Sequence, residues 1–152
     1  VHIVRPFSTR RAVEIISAPK VYSFDTGFIS YQQSWQRLHP KDIRIMWEHF
    51  VLNELHAQLQ SREIYYWRDK RGHEVDFVLS QRGSDLIAIE CKWSANEFES
   101  SNLQAFWRHY PDAKIFVVGN DIERSYSREY NGMMVRFVNL AALIEAILNQ
   151  GK

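Results

Sequence analysis

Two short runs, Glu74-Val75-Asp76-Phe77-Val78-Leu79 and Ile87-Ala88-Ile89-Glu90-Cys91-Lys92, constrain this chain more than any other stretch. Each reads as a β-strand, and each carries acids where a strand otherwise wants apolar side chains. Residues two apart on a strand share a face, so Glu90 and Lys92 lie together. Ile87, Ile89, Cys91 and Trp93 share the other face, which is apolar enough to be core. On the first run the same alternation sets Glu74, Asp76 and Val78 against Val75, Phe77 and Leu79. Pairing of the two runs through a turn at 81–85 brings Asp76 near Glu90. Two facing carboxylates repel unless a cation lies between them. Oxygen-only ligands suit Mg²⁺ or Mn²⁺, which keep several waters and bind substrate phosphate. Lys92 beside them can orient or deprotonate a water, or stabilise charge growing on phosphorus oxygens. The plainer alternative is a solvated ion-pair patch on the outside of a hairpin. Ala88, Ile89, Cys91 and Trp93 favour an interior strand, where charges rarely sit without a task, so the metal-site reading stands ahead.

The flanking pattern supplies the rest of a mixed α/β (α+β) fold. Residues 1–40 are irregular, punctuated by Pro6, Pro19, Gly27 and Pro40, with one short strand expected over 20–24. A long helix is expected from about Lys41 to Gln60, with Asp42 well placed near its N-terminus. At about 100° per residue, His49, Asn53, His56 and Gln60 form one narrow polar arc, so most of the circumference is expected to be buried. Glu48 lies among Leu52, Leu55 and Leu59, and Glu54 near Ile43, Trp47 and Phe50. A buried carboxylate is costly without a hydrogen bond, a cation or a metal. Then come a strand over 64–68, the two acidic strands, a helix over 97–110 ended by Pro111, an apolar interior strand over 113–118, a short strand over 133–138 and a closing helix over 140–148. The first three strands form an antiparallel meander.

Composition excludes more than it identifies. A chain of 152 residues with 45% hydrophobic and 14% aromatic content is globular and fits one domain. A net charge of +1 gives no global basic field, although Arg5, Arg10 and Arg11, and Arg68, Lys70 and Arg71, form local patches. A single cysteine excludes an internal disulfide and fits a reducing cytoplasm. No apolar run is long enough to span a bilayer. His49 and His56, two turns apart, do not have zinc spacing, and a solvated polar face accounts for them. His73 is near enough to the acidic strands to contact a phosphate, though turn histidines are often without a task. Cys91 reads as a buried, inert thiol.

Glu48 on a helix, Asp76 on a strand and Glu90-Cys91-Lys92 on the next strand resemble the three motifs of the PD-(D/E)XK nuclease superfamily, and the element order resembles its restriction-endonuclease-like core. A broader resemblance runs through 20–27, 47–55, 65–68, 74–78 and 89–92. These segments are similar to the C-terminal domain of unknown function attached to a family of prokaryotic AAA+ ATPases. The resemblance implies Asp76 and Glu90 as metal ligands, Lys92 as the catalytic lysine and Glu48 as the first-motif acid. Glu54 belongs to the same pattern, with a structural ion pair to Arg68 or Arg44 as its expected role. Glu74 is either a further ligand or a hydrogen-bond partner. The implied cofactor is Mg²⁺ or Mn²⁺, and the implied partners are DNA, an upstream ATPase part of the same polypeptide and, by analogy, a second copy of the chain. No Gly-x-x-x-x-Gly-Lys-[Ser/Thr] occurs, so the ATPase site is not in this chain. The expected organisation is an N-terminal segment (1–40) following a missing ATPase and winged-helix part, then a nuclease-like domain (41–152). The expected function is metal-dependent cleavage of DNA phosphodiesters. The alternative is a catalytically silent platform for DNA binding or protein docking, with Trp35, Trp67 and Trp107 as surface candidates. RNA is a weaker substrate.

Overall fold

Alternating strands and amphipathic helices assemble into one mixed sheet in the computed structural model, which describes residues 1–8, 18–23, 39–60 and 63–151. Its strands are β1 (His2–Pro6), β2 (Lys20–Tyr22), β3 (Glu63–Arg68), β4 (Glu74–Ser80), β5 (Ile87–Lys92), β6 (Lys114–Gly119), β7 (Tyr126–Tyr130) and β8 (Met133–Val138). The helices are α1 (Pro40–Gln58), α2 (Ser101–His109) and α3 (Leu140–Leu148). The sheet order is β2-β1-β3-β4-β5-β6-β8-β7. The expected meander β3–β4–β5 is antiparallel, and β6 is interior, running parallel to both β5 and β8. Ile115, Phe116, Val117 and Val118 are all buried, as a strand covered on both faces requires.

Two core layers flank the sheet. One joins α1 and α3 to Phe77, Leu79, Ile87, Ile89, Phe116 and Val118. The other joins α2 to Trp67, Val75, Val78, Ala88, Val117 and Phe137. None of the described helices is long and apolar enough to cross a membrane.

Several expectations are corrected. The irregular N-terminal stretch holds an unexpected strand, β1, which pairs antiparallel with β2 and parallel with β3. Phe24 to Gly27 and Trp35 lie outside the described residues. The expected helix over 97–110 is a 3₁₀ turn at Ala95–Glu97 followed by α2. Helix α1 is not buried around most of its girth. Only Asp42, Trp47, Val51, Leu52 and Leu55 are enclosed, while Ile45 and Phe50 are exposed. Of its polar arc, His49, Asn53 and His56 face the paired strands β1 and β2, while Gln60 is exposed. The Ser23 N–H donates to His49 Nδ1 at 3.3 Å, His49 sits edge-on to Tyr22, and His56 stacks on His2 at 4.0 Å. Trp67 is a core residue, fully enclosed and edge-on to Phe106, not a surface candidate. Trp93, just past the end of β5, lies edge-on to Trp47 at the rim of the α1–α3 core layer and is 38% exposed.

Strict alternation fails on β4. Tyr65 pairs with Val78 but Trp67 with Val75, so β4 carries one residue more than β3 over that step. This bulge puts Val75 in the α2 layer with Val78 instead of with Phe77 and Leu79. Asp76 lies inside it.

Candidate functional site

Hydrogen-bonded pairing of β4 with β5 stops at Phe77–Ile89, while β5 continues along β6 as far as Lys92–Gly119. Asp76 and Glu90 stand where the strands part. Their side chains replace the missing ladder: the Cys91 N–H donates to Asp76 Oδ2 at 2.8 Å, and the Asp76 N–H donates to the Glu90 carboxylate. The bulge is what re-aims Asp76 into this gap, a common use of bulges beside functional sites.

The gap opens into a cleft of about 430 Å³. Its floor is Asp76, Glu90, Cys91 and Lys92; α1 contributes Arg44, Ile45 and Glu48, and the segment leading into α2 contributes Glu97, Glu99 and Asn102. The four residues expected to form the centre, Glu48, Asp76, Glu90 and Lys92, therefore line one cavity. Glu48 is fixed by Tyr22, whose hydroxyl donates to Glu48 Oε1 at 2.6 Å across the β2–α1 contact.

The electrostatics are those of crowded acids. Glu90 is only 3% exposed. Burial pushes its carboxyl up to about 7, against the pull of Lys92. Burial, then the charges of Glu90 and Glu48, hold Asp76 well above the ordinary carboxylate range. Burial and the Glu48 charge likewise raise the Tyr22 phenol. Burial and the neighbouring acids raise the Cys91 thiol; it is partly buried and lines the cleft instead of being wholly buried as expected.

The accessory candidates separate. Glu74 is the hydrogen-bond partner rather than a cleft residue. It is paired with Lys20, and it accepts from Arg68 Nη2 at 2.6 Å and Nε at 3.0 Å. Burial acts to raise its carboxyl, but these two cations outweigh it and hold the group below its ordinary value. The bulge explains why Glu74 does not share the setting of Asp76. Glu54 pairs with neither expected arginine, because Arg68 is taken by Glu74 and Arg44 by Glu97. His73 does not reach the cleft: its Nδ1 lies 2.7 Å from Asp69 Oδ2 in the β3–β4 turn. Sequence reasoning named Arg44 only as an ion-pair partner and missed Glu97, Glu99 and Asn102 as cleft residues. The only available signal was the capping box in which Glu97 accepts from the Ser94 N–H.

An oxygen-only donor set suits a hard divalent cation. Among the described residues no group of three or more His, Cys, Asp or Glu is gathered closely enough to hold a metal ion by itself. Mg²⁺ usually takes one or two carboxylates and fills its shell with water and substrate phosphate, so the Asp76–Glu90 pair fits that mode and not a closed protein cage.

A family model matches residues 45–142, that of the domain of unknown function DUF4143. The chain belongs to this family. The matched span of the DUF4143 domain contains Glu48, Asp76, Glu90 and Lys92. No curated protein matches the chain. Among solved structures, one match is a chain of the half-complex from the tetradecameric assembly of Thermococcus gammatolerans McrB AAA+ hexamers with bound McrC. It shares 14% identity at a TM-score of 0.49, over 71% of this chain and 33% of that one.

Proposed function

We propose that this DUF4143 domain is a divalent-metal-dependent nuclease-like hydrolase of DNA phosphodiesters, carried as the C-terminal module of an AAA+ ATPase. The observation that supports it is the convergence of Glu48, Asp76, Glu90 and Lys92, from a helix and two strands, on one cleft. The lining holds five carboxylates against Arg44 and Lys92. A phosphate meets net repulsion there unless a cation intervenes. Mg²⁺ or Mn²⁺ on Asp76 and Glu90 would supply that counter-charge and lower the pKa of a bound water. Glu48, held by Tyr22, adds a third acid at the α1 wall. Lys92 orients the attacking water or donates to the phosphoryl oxygens as their charge grows. The attachment to an ATPase rests on the sequence resemblance, as does the choice of DNA. A second copy of the chain would set one such cleft on each strand of a duplex, and the single cysteine fits a cytoplasmic setting.

The test is cleavage of plasmid and linear DNA in Mn²⁺, with calorimetry for the metal. Wild type is expected to bind Mn²⁺ and cut, and Lys92→Ala to bind Mn²⁺ without cutting. No metal binding together with no cleavage of any DNA form defeats the reading.

A second reading is supported by the same hydrogen bonds. Asp76 and Glu90 each accept a backbone N–H where β4 and β5 separate, so they serve the sheet whether or not they hold an ion. In that case the domain is a silent docking platform. Asp76→Asn would then leave the activity of the ATPase-linked protein unchanged; loss of activity in a folded variant counts against it.

A further inference from the structure

A second cleft, of about 480 Å³, lies between the β3–β4 turn and the C-terminal part of α2, and its charge is opposite to that of the first. Arg71 and His73 line it from the turn, and Arg108 and His109 from the helix. Arg71 and Arg108 are exposed and form no ion pair with a described residue. The one acid on the lining, Asp69, is 8% exposed and already engaged: its Oδ1 accepts the Arg71 and His73 N–H groups at 2.9 Å, and its Oδ2 faces His73 Nδ1. A protein with a net charge of only +1 has thus segregated its charges into an acid cleft and a basic one. Arg108 and His109 also offset the free carbonyls at the end of α2. That does not account for Arg71, which comes from the opposite wall.

We infer that this basic cleft holds the phosphate backbone of duplex DNA a few nucleotides from the acid cleft, as the positioning half of the site proposed above. Charge complementarity selects the occupant, since the acid cleft offers a polyanion no attraction of its own. Helix α2 sets the spacing. Asn102 lines the acid cleft and Arg108 the basic one. Six helical residues span roughly 9 Å, and B-DNA rises roughly 3.4 Å per nucleotide along one strand. That separation is within reach of neighbouring phosphates on one duplex. The inference rests on the nuclease reading for its purpose but not for its measurement.

The experiment is fluorescence anisotropy of a labelled duplex in EDTA, where nothing is cut, over a range of salt concentrations. Each phosphate contact contributes about 0.9 to the slope of log affinity against log salt. The Arg71→Ala/Arg108→Ala double variant is expected to bind more weakly and to lose about 2 from that slope. Arg71→Lys/Arg108→Lys is expected to restore most of it, which a merely misfolded variant would not do. An unchanged slope in the alanine variant, or no duplex binding by wild type in EDTA, overturns the inference. If wild type cuts DNA while the alanine variant keeps the same slope and KM, the basic cleft fails and the nuclease reading stands. If wild type never cuts but binds through these arginines, the nuclease reading fails and the basic cleft stands.

Discussion

Replacing Glu90 with Gln removes a charge that the fold tolerates poorly while keeping an oxygen to accept the Asp76 N–H. An unfolded glutamate ionises near 4.5, and the native one near 7 because it is buried. Between those values the native state holds the proton more tightly than the unfolded state. Wild-type stability therefore falls as pH rises from 4.5 to 7 and levels off above. Two and a half pH units at about 1.36 kcal/mol each amount to about 3 kcal/mol at pH 8, and to under about 1 kcal/mol at pH 5. Glu90→Gln escapes this cost. In EDTA it is expected to exceed wild type by about 3 kcal/mol at pH 8, or roughly 6–12 °C in Tm for a chain of this size. Urea unfolding followed by tryptophan fluorescence at pH 5 and pH 8 reads the difference directly. Mn²⁺ at a thousand times its Kd should reverse the order at pH 8, since it adds about 4.1 kcal/mol to wild type alone. A variant no more stable than wild type at pH 8, or a gap that ignores pH, would falsify the view of Glu90 as a strained, ion-seeking acid.

Two further perturbations probe the wall of the cleft. Tyr22→Phe keeps the packing on Phe77 but deletes the hydroxyl donor to Glu48; a loss of about 1–2 kcal/mol in urea unfolding is expected, and no loss would show that water replaces the bond freely. Burial lowers the pKa values of His2 and His56, which stack on one another. Protonation therefore opposes the fold, and stability is lost as pH falls below about 6.5. His56→Phe preserves a stacking ring without the titration, so amide exchange along β1 is expected to become less pH-sensitive in the variant.

What the sequence revealed and what it concealed have different physical causes. The acidic strands, the meander and β6 were legible because their apolar runs are long and their periods clear. Strand parity grouped Asp76, Glu90 and Lys92, and the family resemblance added Glu48. The β4 bulge was not legible: a register shift leaves no local mark when Val75, Phe77, Val78 and Leu79 are all apolar, so the choice for Glu74 between ligand and hydrogen-bond partner stayed open. Strand β7 was missed because its side chains are polar and exposed, as an edge strand allows. Its signal was nonetheless present in Asn131-Gly132, whose φ values of 50° and 90° are those of a tight hairpin turn. Strand β1 was hidden by Pro6, and the polar arc of α1 was read as wet because nothing in its spacing reveals a hairpin lying over it.

That hairpin has a practical consequence for where this domain is taken to begin. The family match starts at residue 45, within α1, yet Glu48 leans on Tyr22 and Glu74 on Lys20. Trimming the protein to the matched span would bare the flank of β3 as a sticky seam and leave both acids without their nearest donors. Fragments cut there and found inert would report the loss of that support, not the chemistry of the acids themselves.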